Sequence, residues 1–394
     1  MPRVVSEMEP SAPQGARRPV RVLFLHPFAQ QGGSENVLKR LLATLGDGFE
    51  ATLVLMSHGP LEDEFREMGV TTHVVSLPGK RSVPRFPFAA KALAERLGGG
   101  FDLLHANGTK AALFGSFVSR QLDLPVLWMK HGHDYDWWAP RMIGPSCDRI
   151  ACVSGAVAAT FPDWLSERVT VCHPGVRLPP DPGPAARTEP LILAVGRVDP
   201  LKGPANLVRA LSLLSERGVE GRLAIAGPSD PKAPQHRAEL DELIAELGLS
   251  DRAEVLGWVP DIDALYASSR GVALASRNPR RKLGVEGTPL VLLEGMSHGR
   301  PVVAPRDGGI AEIVDDAGTL VESAEPEDLA DGIEPFLTDP ELAGEVGARG
   351  RHRVESEFQL EQMTERLSAE YERLARREHL TAPAPAERQS AESF

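Results

Sequence analysis

The apolar residues of the chain fall in short unbroken runs, separated by stretches in which they recur every three or four positions. VRVLFLH at 20–26 precedes a helical spacing over 35–45, ATLVLM at 51–56 precedes another over 61–68, and further runs follow at 73–77, 102–106, 125–131 and 149–154. A strand that reads as continuous hydrophobic sequence is covered on both faces, so the pattern predicts a parallel sheet with helices on either side. Residues 178–190, LPPDPGPAARTEP, break the rhythm and predict a linker. The alternation restarts with LILAVG at 191–196 and continues through runs at 222–227, 253–258, 271–276 and 301–305. Two doubly wound, Rossmann-like α/β domains are therefore expected, 19–180 and 181–358, with the carboxyl ends of their strands facing across one cleft. The final helical stretch, 359–377, aligns Leu360, Met363, Leu367 and Tyr371 and is expected to pack back toward the first domain. Residues 1–18 and 378–394 have the composition of disordered tails.

Composition narrows the class. With 394 residues, 42% hydrophobic and 25% charged, the chain suits a folded two-domain protein. No apolar run approaches the roughly 20 residues of a membrane span and no leader pattern opens the chain, so a cytoplasmic protein is expected. The net charge of −12 argues against a nucleic-acid partner, and all of it arises after residue 180, the residues before being slightly positive. Cys147, Cys152 and Cys172 have neither the number nor the spacing of a disulfide framework or a zinc site, and read as buried apolar side chains.

Four stretches carry candidate chemistry. Glu286 and Glu294 flank GTPLVLL, where Thr288 is read as a helix N-cap, Pro289 as the first helical residue and Gly299 as the stop. Glu286 then precedes the helix and Glu294 lies about two turns inside it, roughly 9 Å further along the axis. A helix start attracts phosphate and carboxylates accept from vicinal hydroxyls, which together suit a nucleotide sugar. In LILAVGRVDPLKG, a strand delivers Arg197 and Lys202 to one short loop, where two cations can stabilise a departing diphosphate without a metal. Gly32 and Gly33 follow the first strand and precede a helix capped near Ser34, leaving room for a phosphate, but the full G-x-G-x-x-G of a dinucleotide oxidoreductase is missing. HGHDYDWW ends the 125–131 run. His131, His133, Asp134, Tyr135, Asp136, Trp137 and Trp138 there can stack on a sugar face and grip hydroxyls or amines. Asp134 and Asp136 also spell D-x-D, a metal-holding pattern elsewhere, but the diphosphate already has two side-chain cations, so no metal site and no cofactor are expected.

From Val20 to Arg376 these stretches resemble the retaining glycosyltransferases of family 4 with the GT-B fold. The resemblance rests on GGSENVL, KHGHD, ACVSGAV, HPGV, AVGRVDPLKGPANLVRAL, AIAG, EVLGWVPD and above all EGTPLVLLEGMSHGRPVVAPRDGGIAEIV. The last resembles the family's E-x7-E segment in its E-G-I-P form, with Thr288 in place of Ile. The resemblance implies that Arg197 and Lys202 bind the donor diphosphate and that Glu286 contacts donor-sugar hydroxyls. It further implies that the backbone of Gly287, Thr288, Pro289 and Leu290 surrounds sugar and phosphate, that Glu294 meets the ribose, and that Gly32, Gly33 and Gly227 line the donor. His131 is implied beside the reacting carbon and the C6 hydroxyl of the sugar.

Two departures bear on specificity. The segment SRNPRRKLGV before Glu286 is longer and more basic than the family's loop, and HGHDYDWW is richer in acids and aromatics. A UDP- or GDP-type sugar donor and a small natural-product or aminocyclitol acceptor are expected. Lys80, Arg81, Arg85 and Lys91 form a basic stretch that also suits anionic lipid headgroups. A nucleotide-sugar-binding subunit without turnover, an epimerase and a phosphorylase on the same fold are the competing readings.

Overall fold

Each apolar run becomes a strand, and the strands form two separate parallel sheets. The computed structural model describes residues 18–77, 79–180, 182–229, 233–277 and 286–377. The terminal segments read as tails lie outside these apart from Arg18, as do residues 278–285 of the basic loop before Glu286 and the side chain of Lys80.

The first sheet contains β1 (Val20–His26), β2 (Phe49–Leu55), β3 (Thr71–Val74), β4 (Leu103–Asn107), β5 (Val126–Lys130), β6 (Arg149–Cys152) and β7 (Val169–Val171), in the order β3-β2-β1-β4-β5-β6-β7. The second contains β8 (Leu191–Val195), β9 (Arg222–Ala226), β10 (Ala253–Gly257), β11 (Gly271–Ala273), β12 (Val302–Pro305) and β13 (Gly318–Val321), in the order β10-β9-β8-β11-β12-β13. In both, strand order reverses beside the first strand, between β1 and β4 and between β8 and β11. A crevice opens at the carboxyl ends of such a pair, because the flanking helices leave to opposite faces there. His26 and Asn107 stand at this place in one domain, and Gly196 and Ser276 in the other.

Val22, Leu23, Phe24 and Leu25 of the central strand β1 are all fully buried, which accounts for an unbroken apolar run in place of alternation. The edge strands β7 and β13 are short and only partly buried. The three cysteines are buried, and burial pushes each thiol up to about 12.

The helix Leu360–Ala375 lies against the first domain. Tyr371 is buried and shares a 2.6 Å hydrogen bond with His105 Nδ1 on β4. The Arg149 guanidinium on β6 donates to both oxygens of Glu370, at 2.9 and 3.0 Å. Among the described residues no helix is long and apolar enough to cross a membrane.

Candidate active site

The loop after β8 is built by a side chain that the sequence reading passed over. Asp199 is buried and its Oδ1 accepts the backbone N–H groups of Leu201 (2.9 Å) and Lys202 (3.0 Å), folding the Val-Asp-Pro segment into a tight turn. Its Oδ2 holds the Arg197 guanidinium at 2.9 Å, while that side chain stays 51% exposed. Arg197 and Lys202 line one cavity with Val195, Gly196, Leu274 and Ala275. Lys202 Nζ donates to Glu286 Oε1 at 2.5 Å, and Ser276 Oγ, just beyond β11, donates to the same oxygen at 2.6 Å. Gly227 lies beneath this loop, its N–H donating to Gly257 O at 2.7 Å.

The helix after Glu286 starts one residue later than its sequence predicts. It spans Leu290–Ser297 with Pro289 at the N-cap and no side-chain cap. Thr288 does not cap it, because its hydroxyl donates across the cleft to Val153 O at 2.6 Å. No side chain caps the helix start, where only the Leu292 amide turns back to Pro289 O at 3.2 Å, and such an uncapped start favours an anion. Glu294 is only five residues into this short helix, so it lies about one turn inside, not two. One Glu294 oxygen accepts from Tyr266 Oη at 2.9 Å and the other pairs with Arg40 of the first domain. Burial and the Glu294 carboxylate push the Tyr266 phenol well above its ordinary value.

The first domain closes over this wall. Gly287 packs so tightly under it that a Cβ would lie 2.1 Å from His131 O, so no larger residue fits between the domains there. Gly32 and Gly33 differ in the same way. A Cβ on Gly32 would lie 2.5 Å from Glu35 Oε2, whereas one on Gly33 would meet nothing within 4 Å. Gly32 is required by the buried carboxylate behind it, and Gly33 is the position open to a ligand. The helix here begins at Gly33 with Gly32 as N-cap, and Ser34 does not cap it but donates to Glu35 Oε2 at 2.9 Å.

His131 follows β5. Its Nε2 is 2.7 Å from Asn107 Oδ1, and burial, with the His26 ring and the Lys130 ammonium nearby, pushes the imidazole down to about 3. The next residues form a loop shaped from below by the fully buried Lys130. Its Nζ donates to Gly132 O at 2.6 Å and Asp134 O at 3.1 Å, and pairs with Asp136 Oδ1 at 2.7 Å. His133 Nδ1 holds the other Asp136 oxygen at 3.0 Å. Burial alone would raise the Asp136 carboxyl, but the hydrogen bonds from His133 and Lys130 outweigh it and hold the group below the usual carboxylate range. Asp136 is therefore engaged in shaping the loop, while Asp134 is exposed. Tyr135 takes a left-handed φ of 58°, Tyr135 and Trp138 pack with ring centres 5.8 Å apart, and Trp137 is 76% exposed. Among the described residues no group of three or more His, Cys, Asp or Glu is arranged to hold a metal ion.

Sequence reasoning missed Asp199, Ser276, Arg40, Tyr266 and the trio Glu35, His26 and Asn107. For His26, Asn107 and Ser276 a signal was present, since each is a polar residue at or just past the carboxyl end of an apolar strand next to a switch point. Arg40 and Tyr266 meet Glu294 only through the tertiary fold.

Two family models cover most of the chain. Residues 31–178 match Glycosyltransferase Family 4 and residues 180–353 match Glycosyl transferases group 1. The D-inositol 3-phosphate glycosyltransferase of Nocardia farcinica is 29% identical over 385 residues, 84% of this chain and 84% of that protein. The GDP-mannose-dependent alpha-(1-6)-phosphatidylinositol monomannoside mannosyltransferase of Mycolicibacterium smegmatis is 29% identical over 265 residues, 61% of this chain and 68% of that protein. Among solved structures, Anabaena HepE in complex with UDP and glucose shares the fold with a TM-score of 0.74 at 21% identity, covering 90% of this chain and 99% of that one. Sucrose-phosphate synthase from Thermosynechococcus elongatus does so with a TM-score of 0.74 at 22% identity, over 90% and 99%. With both domain models matched in order and two opposed parallel sheets behind them, the chain belongs to the family 4 glycosyltransferases of GT-B fold.

Proposed function

We propose that this glycosyltransferase moves a sugar from a nucleoside-diphosphate sugar to a hydroxyl of a polyhydroxylated small acceptor of the cyclitol type, with retention of configuration and without a metal. The observation that carries the donor side is the meeting of Lys202, Glu286 and Arg197 beside an uncapped helix start. As the bond from the anomeric carbon to the phosphate oxygen breaks, its electron pair leaves with the diphosphate. Lys202, Arg197 and the first-turn amides of Leu290–Ser297 neutralise that charge. A diphosphate oxygen then takes the proton of the acceptor hydroxyl as its oxygen bonds to the anomeric carbon on the same face, so no protein nucleophile is needed. Glu286, freed from Lys202, accepts from donor-sugar hydroxyls, and Glu294 accepts from the ribose. His131 faces the sugar near its C6.

On the acceptor side, exposed Asp134 and Trp137 suit hydroxyl-bearing or amino-bearing rings, and a relative is named for D-inositol 3-phosphate. A lipid-borne acceptor is the second reading. Phe88 is 80% exposed at the start of the helix Phe86–Leu97, next to exposed Arg81, Arg85 and Lys91, and another relative is named for a phosphatidylinositol mannoside. Salt-sensitive sedimentation with anionic vesicles supports that second reading, and its absence the first.

The test of turnover is direct. Lys202→Ala and Glu286→Ala are each expected to lower kcat by roughly a hundredfold or more, with product anomers read by NMR and the rate unchanged by a chelator. Near wild-type turnover in either variant sinks the proposal. Thermal shift against UDP, GDP and their sugars identifies the donor base, since a ligand that prefers the folded state raises its melting temperature.

A further inference from the structure

Glu294 is held from both sides of the cleft, and its remaining capacity to accept hydrogen bonds can be counted. Tyr266 stands on the helix Ile262–Ser268 of the second domain and is fully buried. Its ring stacks on that of His298, with centres 5.1 Å and planes 25° apart, and its carbonyl accepts from the buried Arg300 Nε and from Ser269 Oγ, each at 3.0 Å. The phenol is thereby fixed in place. Its Oη lies 2.9 Å from Glu294 Oε2, and since an ionised carboxylate only accepts, the phenol donates. Arg40 reaches the other oxygen from the helix Gly33–Thr44 of the first domain. The Arg40 side chain is 25% exposed and that of Glu294 18%, so the pair lines the gap between the domains without being sealed inside it.

A carboxylate has about four lone-pair sites, shared equally between its oxygens. Among the described residues Tyr266 uses one on Oε2 and Arg40 one on Oε1, which leaves one open on each oxygen. Two acceptor sites in one fixed plane match two vicinal hydroxyls, the pattern of a ribose and not of a 2′-deoxyribose. Without its two donors the same carboxylate turns easily, because the last torsion of a glutamate has a broad energy well, and the match is lost. We propose that Tyr266 and Arg40 are positioning residues that fix the Glu294 carboxylate so that it selects nucleotides carrying both ribose hydroxyls over their 2′-deoxy forms. The two act at different moments. Tyr266 belongs to the same domain as Glu294 and holds it whether the cleft is open or closed, whereas Arg40 arrives only as the first domain closes, so the selection sharpens on closure. The ribose contact of Glu294 belongs to the functional reading above, on which this rests, and the discrimination is what Tyr266 and Arg40 supply.

Titration calorimetry on the full chain with UDP, GDP and their 2′-deoxy forms tests it. Wild type should bind the preferred ribonucleotide roughly tenfold or more tightly than its deoxy form, the difference carried by hydrogen bonds to a charged group. In Tyr266→Phe, which keeps the ring and its stacking on His298, that ratio should fall to about threefold or less. The loss should lie in the ribonucleotide alone, with the deoxy form bound as by wild type. Arg40→Met should weaken both nucleotides, because a contact between the domains goes with it, and the ribonucleotide more, while Arg40→Lys restores part of the ratio. A merely structural role would weaken both forms equally. An unchanged ratio in either variant overturns the proposal. Should Tyr266→Phe not fold, Arg40→Met decides, since its side chain lies outside the core of the second domain. If wild type binds nucleotides without preferring ribose, the proposal falls while the diphosphate reading stands. If it binds none, the functional reading fails and the proposal with it.

Discussion

Removing Glu312 tests whether closure of the cleft is held by a few definable contacts. Glu312 lies on the helix Ile310–Val314 of the second domain, yet its carboxylate binds the first. Oε2 accepts the amide of Gly155 and Oε1 that of Ala156, both at 2.7 Å, and His173 Nε2 lies 3.3 Å from Oε2. Ser154 Oγ takes the next amide, that of Val157, at 3.2 Å. The start of the helix Gly155–Ala158 is thus capped half by its own chain and half by the opposite domain. A hydrogen bond to a charged group contributes about 1.5–3 kcal/mol, but the Glu312 side chain is 31% exposed and open-state water replaces part of both bonds. About 2 kcal/mol for the pair is a reasonable net figure, which shifts the closed-to-open ratio by roughly thirtyfold.

A nucleoside diphosphate held by both walls binds the closed form, so its apparent Kd rises as that form is depopulated. Glu312→Ala should weaken binding by about threefold to thirtyfold and increase the radius of gyration seen by X-ray scattering, with the protein still folded. Gly155→Ala should act in the same direction, because its Cβ would come within 3.3 Å of Glu312 Oε1. A Glu312→Ala protein whose Kd and radius of gyration both match wild type would refute the reasoning, and would move the closure energy to Arg40–Glu294 and Thr288–Val153.

Three further outcomes follow from the same structure. Burial pushes His105 and His131 each down to about 3, so between pH 6.5 and 3 the unfolded chain binds two protons that the folded chain does not; stability should fall on acidification by up to about 2.7 kcal/mol per pH unit from this pair, read as a steep loss of melting temperature from pH 7 to 5. Tyr371→Phe strands His105 Nδ1 inside the core and should cost about 1–3 kcal/mol in denaturant unfolding, with donor affinity unchanged. Lys130→Met removes the ammonium that ties Gly132, Asp134 and Asp136 together, and should raise the acceptor KM by roughly tenfold while leaving the nucleotide Kd near wild type.

The apolar runs revealed the strands that have neighbours on both sides, because burial on two faces excludes polar residues along their length. Val20–His26 and Arg222–Ala226 coincide with their runs almost to the residue. The strands Val169–Val171 and Gly318–Val321 had no such signature. Each lies at a sheet edge with one neighbour, and three or four partly exposed residues carry too little pattern to stand out from a loop. The site divides along a similar line. Arg197, Lys202, Glu286 and Gly33 sit in loops whose local grammar, a strand followed by a short polar turn and a helix, already aims them at the cleft. Thr288 was misread because local grammar names it an N-cap, while the domain opposite offers Val153 O and takes its hydroxyl.

The residues behind His131 show why such groups escape a linear reading. Glu35 and His26 share one strand-to-helix connection while Asn107 and His131 come from two others, and their relation exists only once β1, β4 and β5 lie side by side. What remains visible beforehand is their unlikeness to their surroundings, since burying a polar group without a partner costs more than burying an apolar one. Polar residues ending two neighbouring core strands therefore imply that each has found another polar group. In a doubly wound sheet that place is also the crevice at the carboxyl ends of the strands, and it is there that the role proposed for His131 lies.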